Sequence, residues 1–141
     1  MFAVPLHAAD FRTTADAPTV LYDAPSAKAR PQFVFGRDVP LEVLVSVEGW
    51  TKVRDVSGTI GWIANKSLAE RRVLQVRVAS ADVRANPEDA APLSFRASES
   101  VLLELAEPAS SPGTTASPGW VKVKHRDGLV GYVRVSQVFG L

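Results

Sequence analysis

The chain has 141 residues, of which 46% are apolar and 22% charged, with sixteen basic against fifteen acidic side chains. That is the make-up of a soluble globular protein, and a formal charge of +1 is too balanced for the electrostatic footprint that nucleic-acid binding relies on. The absence of Cys excludes a disulfide framework and a thiolate nucleophile, and no apolar run approaches the roughly 20 residues of a membrane span.

Residues 1–10 are apolar and close on Ala8-Ala9. They read either as the tail of a secretory signal lacking its basic and longer apolar regions, or as a frayed terminus with chance alanines. From Phe11 onward the sequence can be laid on itself. Phe11-Arg12-Thr13-Thr14 matches Val73-Leu74-Gln75-Val76 as a first strand, Leu21-Tyr22-Asp23 matches Val83-Arg84-Ala85, and Phe33 matches Phe95, all at an offset of 62. Val39, Leu41 and Val43 then match Val101, Leu103 and Leu105 as the alternating apolar face of a strand.

Next comes the most distinctive stretch. Gly49-Trp50-Thr51-Lys52-Val53 recurs as Gly119-Trp120-Val121-Lys122-Val123, and Gly61-Trp62-Ile63 as Gly131-Tyr132-Val133, both at an offset of 70. The eight extra residues fall in 107–118, a Pro/Ser/Thr/Gly tract expected to be a lengthened surface loop. Ser57-Gly58 and Asp127-Gly128 mark hairpin tips, and 64–68 and 134–138 are expected to close each copy through a short helical turn into a last strand. No segment keeps a 3.6-residue apolar period, so the chain is expected to be all-β. A repeat of this length predicts two copies of one small β unit, residues 11–70 and 71–141. The junction 69–72 holds no Gly or Pro, so the copies are expected to pack closely with limited relative freedom.

These residues carry a family resemblance. Each copy resembles a bacterial SH3-type domain: a first strand, a Pro-containing long loop, the strand 39–47, Gly-Trp-x-Lys-Val, the turn Gly and Gly-(Trp/Tyr)-(Ile/Val). The first copy, with Phe33-Val34-Phe35-Gly36 and Arg71-Arg72, is similar to a subgroup found in tandem in exported proteobacterial proteins. The resemblance implies two tandem SH3-like β-barrels, a periplasmic or envelope location, and a non-catalytic binding role toward peptidoglycan or an envelope peptide or protein.

Enzyme chemistry finds little support in the residues. The histidines are His7 and His125, with no pair at ligand spacing, so neither a metal nor another cofactor is expected. There is no G-x-S-x-G elbow and no phosphate-binding Gly loop, and Glu88-Asp89 reads as a solvated turn. Binding has a better handle. Period-two alternation sends Thr51 and Val53 inward and Trp50, Lys52 and Arg54 outward, and in the second copy Val121 and Val123 inward and Trp120, Lys122 and Lys124 outward. A Trp on a basic face offers an apolar plate with an N–H at its rim. The competing reading is that each Trp covers a barrel end or fills the interface between copies, with Trp62 and Tyr132 in the core or at the rim.

Eukaryotic SH3 domains bind polyproline with an aromatic groove, and here Leu21-Tyr22-Asp23 and Trp50 match two of its parts. Ala64 and Ser67 replace the Pro and Tyr of the third, and the second copy keeps Trp120 but has Arg84, Arg134 and Gln137. The expected binding surface is therefore Tyr22 with Trp50, Lys52 and Arg54, with Trp120, Lys122 and Lys124 as its weaker copy. The alternative is a structural or protein-interaction module whose aromatics are used in packing.

Overall fold

The structure, a computed structural model, describes residues 10–15, 18–107 and 118–141. The leader-like residues 1–9, with His7, and most of the tract 107–118 lie outside the described residues. The first half contains β1 (Asp10–Thr14), β2 (Thr19–Tyr22), β3 (Pro31–Phe35), β4 (Pro40–Val47), β5 (Trp50–Arg54), β6 (Ile60–Ala64) and β7 (Leu68–Ala69). The second contains β8 (Val73–Val76), β9 (Ser80–Arg84), β10 (Leu93–Ser98), β11 (Leu102–Leu105), β12 (Trp120–Lys124), β13 (Val130–Arg134) and β14 (Val138–Phe139). A 3₁₀ turn, at Asn65–Ser67 and again at Val135–Gln137, precedes each last strand.

The strands form two antiparallel sheets of identical order, β3-β2-β6-β5-β4-β1-β7 and β10-β9-β13-β12-β11-β8-β14. The chain is thus all-β, built as two small barrel-like domains. Each has its own core, filled by the inward residues of the period-two strands. Leu21, Phe35, Leu41, Val53 and Ile63 pack in the first, and Leu74, Val83, Leu103, Val121, Val123 and Val133 in the second. The repeat reaches the backbone: Asp38 and Ser100, 62 apart, both take left-handed φ values, 64° and 72°. Gly58 and Gly128 supply the positive φ of the two hairpin tips, 94° and 98°.

The Gly of the Gly-aromatic-aliphatic motif serves close approach. A Cβ on Gly61 would lie 2.6 Å from Leu21 Cγ and 2.9 Å from the Tyr22 carbonyl oxygen, and one on Gly131 would lie 2.7 Å from the Arg84 carbonyl oxygen. These two glycines let β6 press on β2 and β13 on β9. Buried threonines of the first domain are satisfied, as buried hydroxyls must be. Thr14 Oγ1 donates to the Gly36 carbonyl at 2.8 Å and accepts from Val39 N–H at 2.9 Å. Thr51 Oγ1 donates to Asn65 Oδ1 at 2.6 Å, tying the base of β5 to the 3₁₀ turn.

The domains meet through side chains that the internal repeat does not share. Phe11 and Phe139 pack edge to face with centroids 5.2 Å apart, an arrangement that contributes about 0.5–1.5 kcal/mol beyond its buried area. Arg72 donates from Nη2 to the Gly140 carbonyl at 2.6 Å, while its own carbonyl accepts from Leu105 N–H at 3.1 Å. The Arg71 carbonyl accepts from Thr13 Oγ1 at 2.5 Å. The connection is therefore hydrogen-bonded into both sheets.

Candidate functional site

On β5 the alternation is as expected: Thr51 and Val53 are buried, while Trp50, Lys52 and Arg54 are half-buried on the other face. Tyr22 ends β2 on the same face. Its ring meets that of Trp50 edge to face, with centroids 5.6 Å apart and planes at 83°. Strand register sets Tyr22 opposite Trp62, and Trp62 opposite Lys52. Three strands thus carry Tyr22, Trp62 and Lys52 side by side, with Trp50 at the corner. Gly61 fixes this row, because only a residue without Cβ allows β6 so near Tyr22. Beyond Tyr22 the long loop returns on itself: Asp23 N–H donates to the Arg30 carbonyl at 3.1 Å and Arg30 N–H to Asp23 Oδ1 at 3.0 Å.

Arg54 does not join this corner. Its Nε donates to Glu42 Oε1 at 2.9 Å, and it lines a separate cleft against the second domain with Arg77 and Phe139. Trp62 is half-buried on the outer face, as is its counterpart Tyr132.

In the second domain the same face is closed. Trp120 is only 7% exposed. The guanidinium of Arg134 lies over its ring, 4.6 Å from the centroid, and Arg134 Nη2 is held at 2.5 Å by Asp89 Oδ2. Where the first domain has Tyr22, the second has Arg84, which donates to Asp82 Oδ2 at 3.1 Å and to the Ala91 carbonyl at 3.2 Å. Lys122 stands half-buried opposite Tyr132. Lys124 is exposed and faces the groove between the domains. Asp89, which the sequence presents as part of a solvated turn, is thus the anchor of the Arg134 cover. The signal available in the sequence is a paired change between copies, since Ala27 and Ala64 occupy the positions of Asp89 and Arg134.

Around His125, Nδ1 lies 2.8 Å from Asp127 Oδ1, and this hydrogen bond holds the exposed Asp127 carboxyl below its ordinary pKa. The His125 ring packs against Phe95 at 5.9 Å. Among the described residues no group of three or more His, Asp or Glu is gathered where it could hold a metal ion, and no helix is long and apolar enough to cross a membrane.

A family model described as the bacterial SH3 domain matches residues 15–70. None of the curated proteins matches the chain. Similar solved structures include NlpC1 of Trichomonas vaginalis, at 15% identity and a TM-score of 0.42, covering 96% of this chain and 47% of that one. NlpC2 of the same organism matches at 16% identity and a TM-score of 0.39, covering 96% of this chain and 49% of that one. An NlpC/P60 family protein of Bacillus cereus matches at 12% identity and a TM-score of 0.39, covering 92% of this chain and 56% of that one. The chain spans about half the length of these structures.

Proposed function

Because residues 15–70 match the bacterial SH3 domain, we propose that the chain is a non-catalytic binding module of the cell envelope whose first domain recognises peptidoglycan at the Tyr22–Trp50 corner. Bacterial SH3 domains are a family of cell-wall-binding or protein-binding modules, which supports the class of the reading. The observation that carries the site is the half-buried edge-to-face pair of Tyr22 and Trp50, with Trp62 and Lys52 beside it on one rigid sheet. A sugar ring or a peptide laid against two perpendicular aromatic faces gains apolar contact without ordering a loop. The Lys52 ammonium, in the same row, suits a carboxylate of the wall's stem peptides. In this reading the protein is exported and acts outside the cytoplasm.

Co-sedimentation with purified peptidoglycan tests this. The wild type is expected in the pellet, and Trp50→Ala is expected to weaken retention by about thirtyfold, as loss of a central aromatic contact does. Equal retention of the two proteins, or none of either, overturns the reading.

A second reading, binding of an envelope protein, is favoured by one observation. Phe33 and Val34, on the edge strand β3 of the first sheet, are 51% and 55% exposed. An open β edge with two apolar side chains suits strand addition by a partner. Pull-down of an envelope protein that is lost in a Phe33→Ser variant but kept in Trp50→Ala would favour this surface over the aromatic corner.

A further inference from the structure

The groove between the two domains has a volume of about 810 Å³, within the range of ligand-sized pockets. Its two banks come from different parts of the repeat: Arg37 and Asp38 after β3 and Arg71-Arg72 of the junction on one side, and Lys124, His125 and Arg126 at the end of β12 on the other. Five Lys or Arg side chains face two carboxylates, Asp38 and Glu104. The groove therefore concentrates more positive charge than the +1 of the entire chain.

The two domains furnish an internal comparison. Glu42 and Arg54 are cross-strand partners in the first domain, and Glu104 and Lys124 occupy the same register in the second. Glu42 and Arg54 form an ion pair, and Asp55 follows, so the corresponding corner of the first domain is neutralised. Among the described residues Glu104 and Lys124 form none, and His125, which pairs with Asp127, and Arg126 follow instead of Asp55 and Val56. Among the described residues Arg72 also has no carboxylate within salt-bridge distance. Burial lowers its guanidinium pKa, and its Nε is a buried donor with no acceptor. Asp10 acts on it from beyond salt-bridge distance and the Gly140 carbonyl holds its Nη2, so Arg72 brings positive charge to this bank with no carboxylate in contact. Arg71 indicates what the groove accepts: its Nη2 already holds the Asp38 carboxylate at 2.6 Å.

We propose that this groove is a second binding site, distinct from the Tyr22–Trp50 corner, that takes an acidic peptide segment presenting at least two carboxylates. Lys124 and Arg126 pair with the carboxylates, Arg72 adds positive charge from the opposite bank, and Val101, Leu102 and Leu105 form an apolar floor for the intervening side chains. Guanidinium groups match carboxylates through paired N–H donors. The apolar floor favours a peptide over a bare polyphosphate, which has nothing to lay on it.

Fluorescence anisotropy of the full chain with a labelled peptide of alternating Glu and Leu tests the assignment. The expected result is saturable binding that weakens with added salt and falls about tenfold or more in Lys124→Glu/Arg126→Glu, two exposed substitutions away from both cores. Lys28→Glu/Arg96→Glu, which applies the same charge change elsewhere on the surface, is expected to stay within about twofold of wild type. Four results overturn the proposal: no binding of the Glu–Leu peptide, equal binding of a control peptide with every Glu replaced by Gln, equal loss in both double variants, or tighter binding of a polyphosphate of matched charge. None of them bears on peptidoglycan retention at Trp50, so the two sites stand or fall separately.

Discussion

Trp50 and Trp120 open equivalent strands, follow equivalent glycines and sit over equivalent cores, yet only the first keeps a ring available. Beside Trp50 stand Tyr22 and the small Ala64; beside Trp120 stand Arg84 and the long Arg134, drawn across the indole by Asp89. One fold thus places a Trp at a fixed point, and two neighbouring positions decide whether its ring stays half-buried or is covered.

The comparison is broken most directly at the two indoles. Trp120→Ala removes a buried ring and its guanidinium cover, and a loss of about 3–5 kcal/mol in urea denaturation is expected. Trp50→Ala, at a half-buried site, is expected to cost less than about half of that. Equal losses would mean that both rings are packing elements and that the open corner is illusory.

Next come the glycines, where the two domains should agree. Gly61→Ala and Gly131→Ala both drive a methyl group against a backbone carbonyl, and each is expected to cost about 1–3 kcal/mol. A loss at one position alone would show that the strand approach is not shared.

A graft sharpens the contrast. Ala27→Asp/Ala64→Arg gives the first domain the cover of the second and is expected to weaken peptidoglycan retention about tenfold with little change in stability. Undiminished retention would show that an arginine at this position does not close the site.

The smallest effect lies at the hairpin tips. Asp55 accepts from Ser57 N–H at 3.0 Å and Thr59 N–H at 2.9 Å, whereas the second tip relies on His125 and Asp127. His125→Ala is expected to move the Asp127 pKa upward, toward its ordinary range, in a carboxyl NMR titration. A depressed carboxyl pKa contributes stability above the unfolded-state value and loses it as pH falls through the folded-state value. The exposed Asp127 should therefore shift the acid limb only slightly, and no change in its pKa would remove His125 as the cause.

The barrels were legible because their determinants are local and occur twice. Alternation gave the inward valines, Gly58 and Gly128 the tips, and the 64–68 and 134–138 segments the closing turns. The pairing of Tyr22 with Trp50 was legible through the resemblance to SH3 grooves. What was not legible lies where the copies differ. Phe139 stands where the first copy has Ala69, and Phe11 where the second has Val73; these departures from the repeat are the two rings that join the domains. The closure of Trp120 depends on residues 45 apart, Asp89 and Arg134, which no periodicity connects. Arg54 and Lys124 share the Trp face on paper. In the fold they stand at the far end of their strands, one paired with Glu42 and the other beside the interdomain groove.

The three tryptophans allow the central claim to be tested in one spectrum. Indole N–H resonances, assigned by single Trp→Phe variants, would be followed as soluble peptidoglycan fragments are added. The account predicts that the Trp50 signal moves most, with Trp62 following and Trp120 unmoved. Movement of Trp120 with Trp50 silent, or no movement of any of the three, would contradict it.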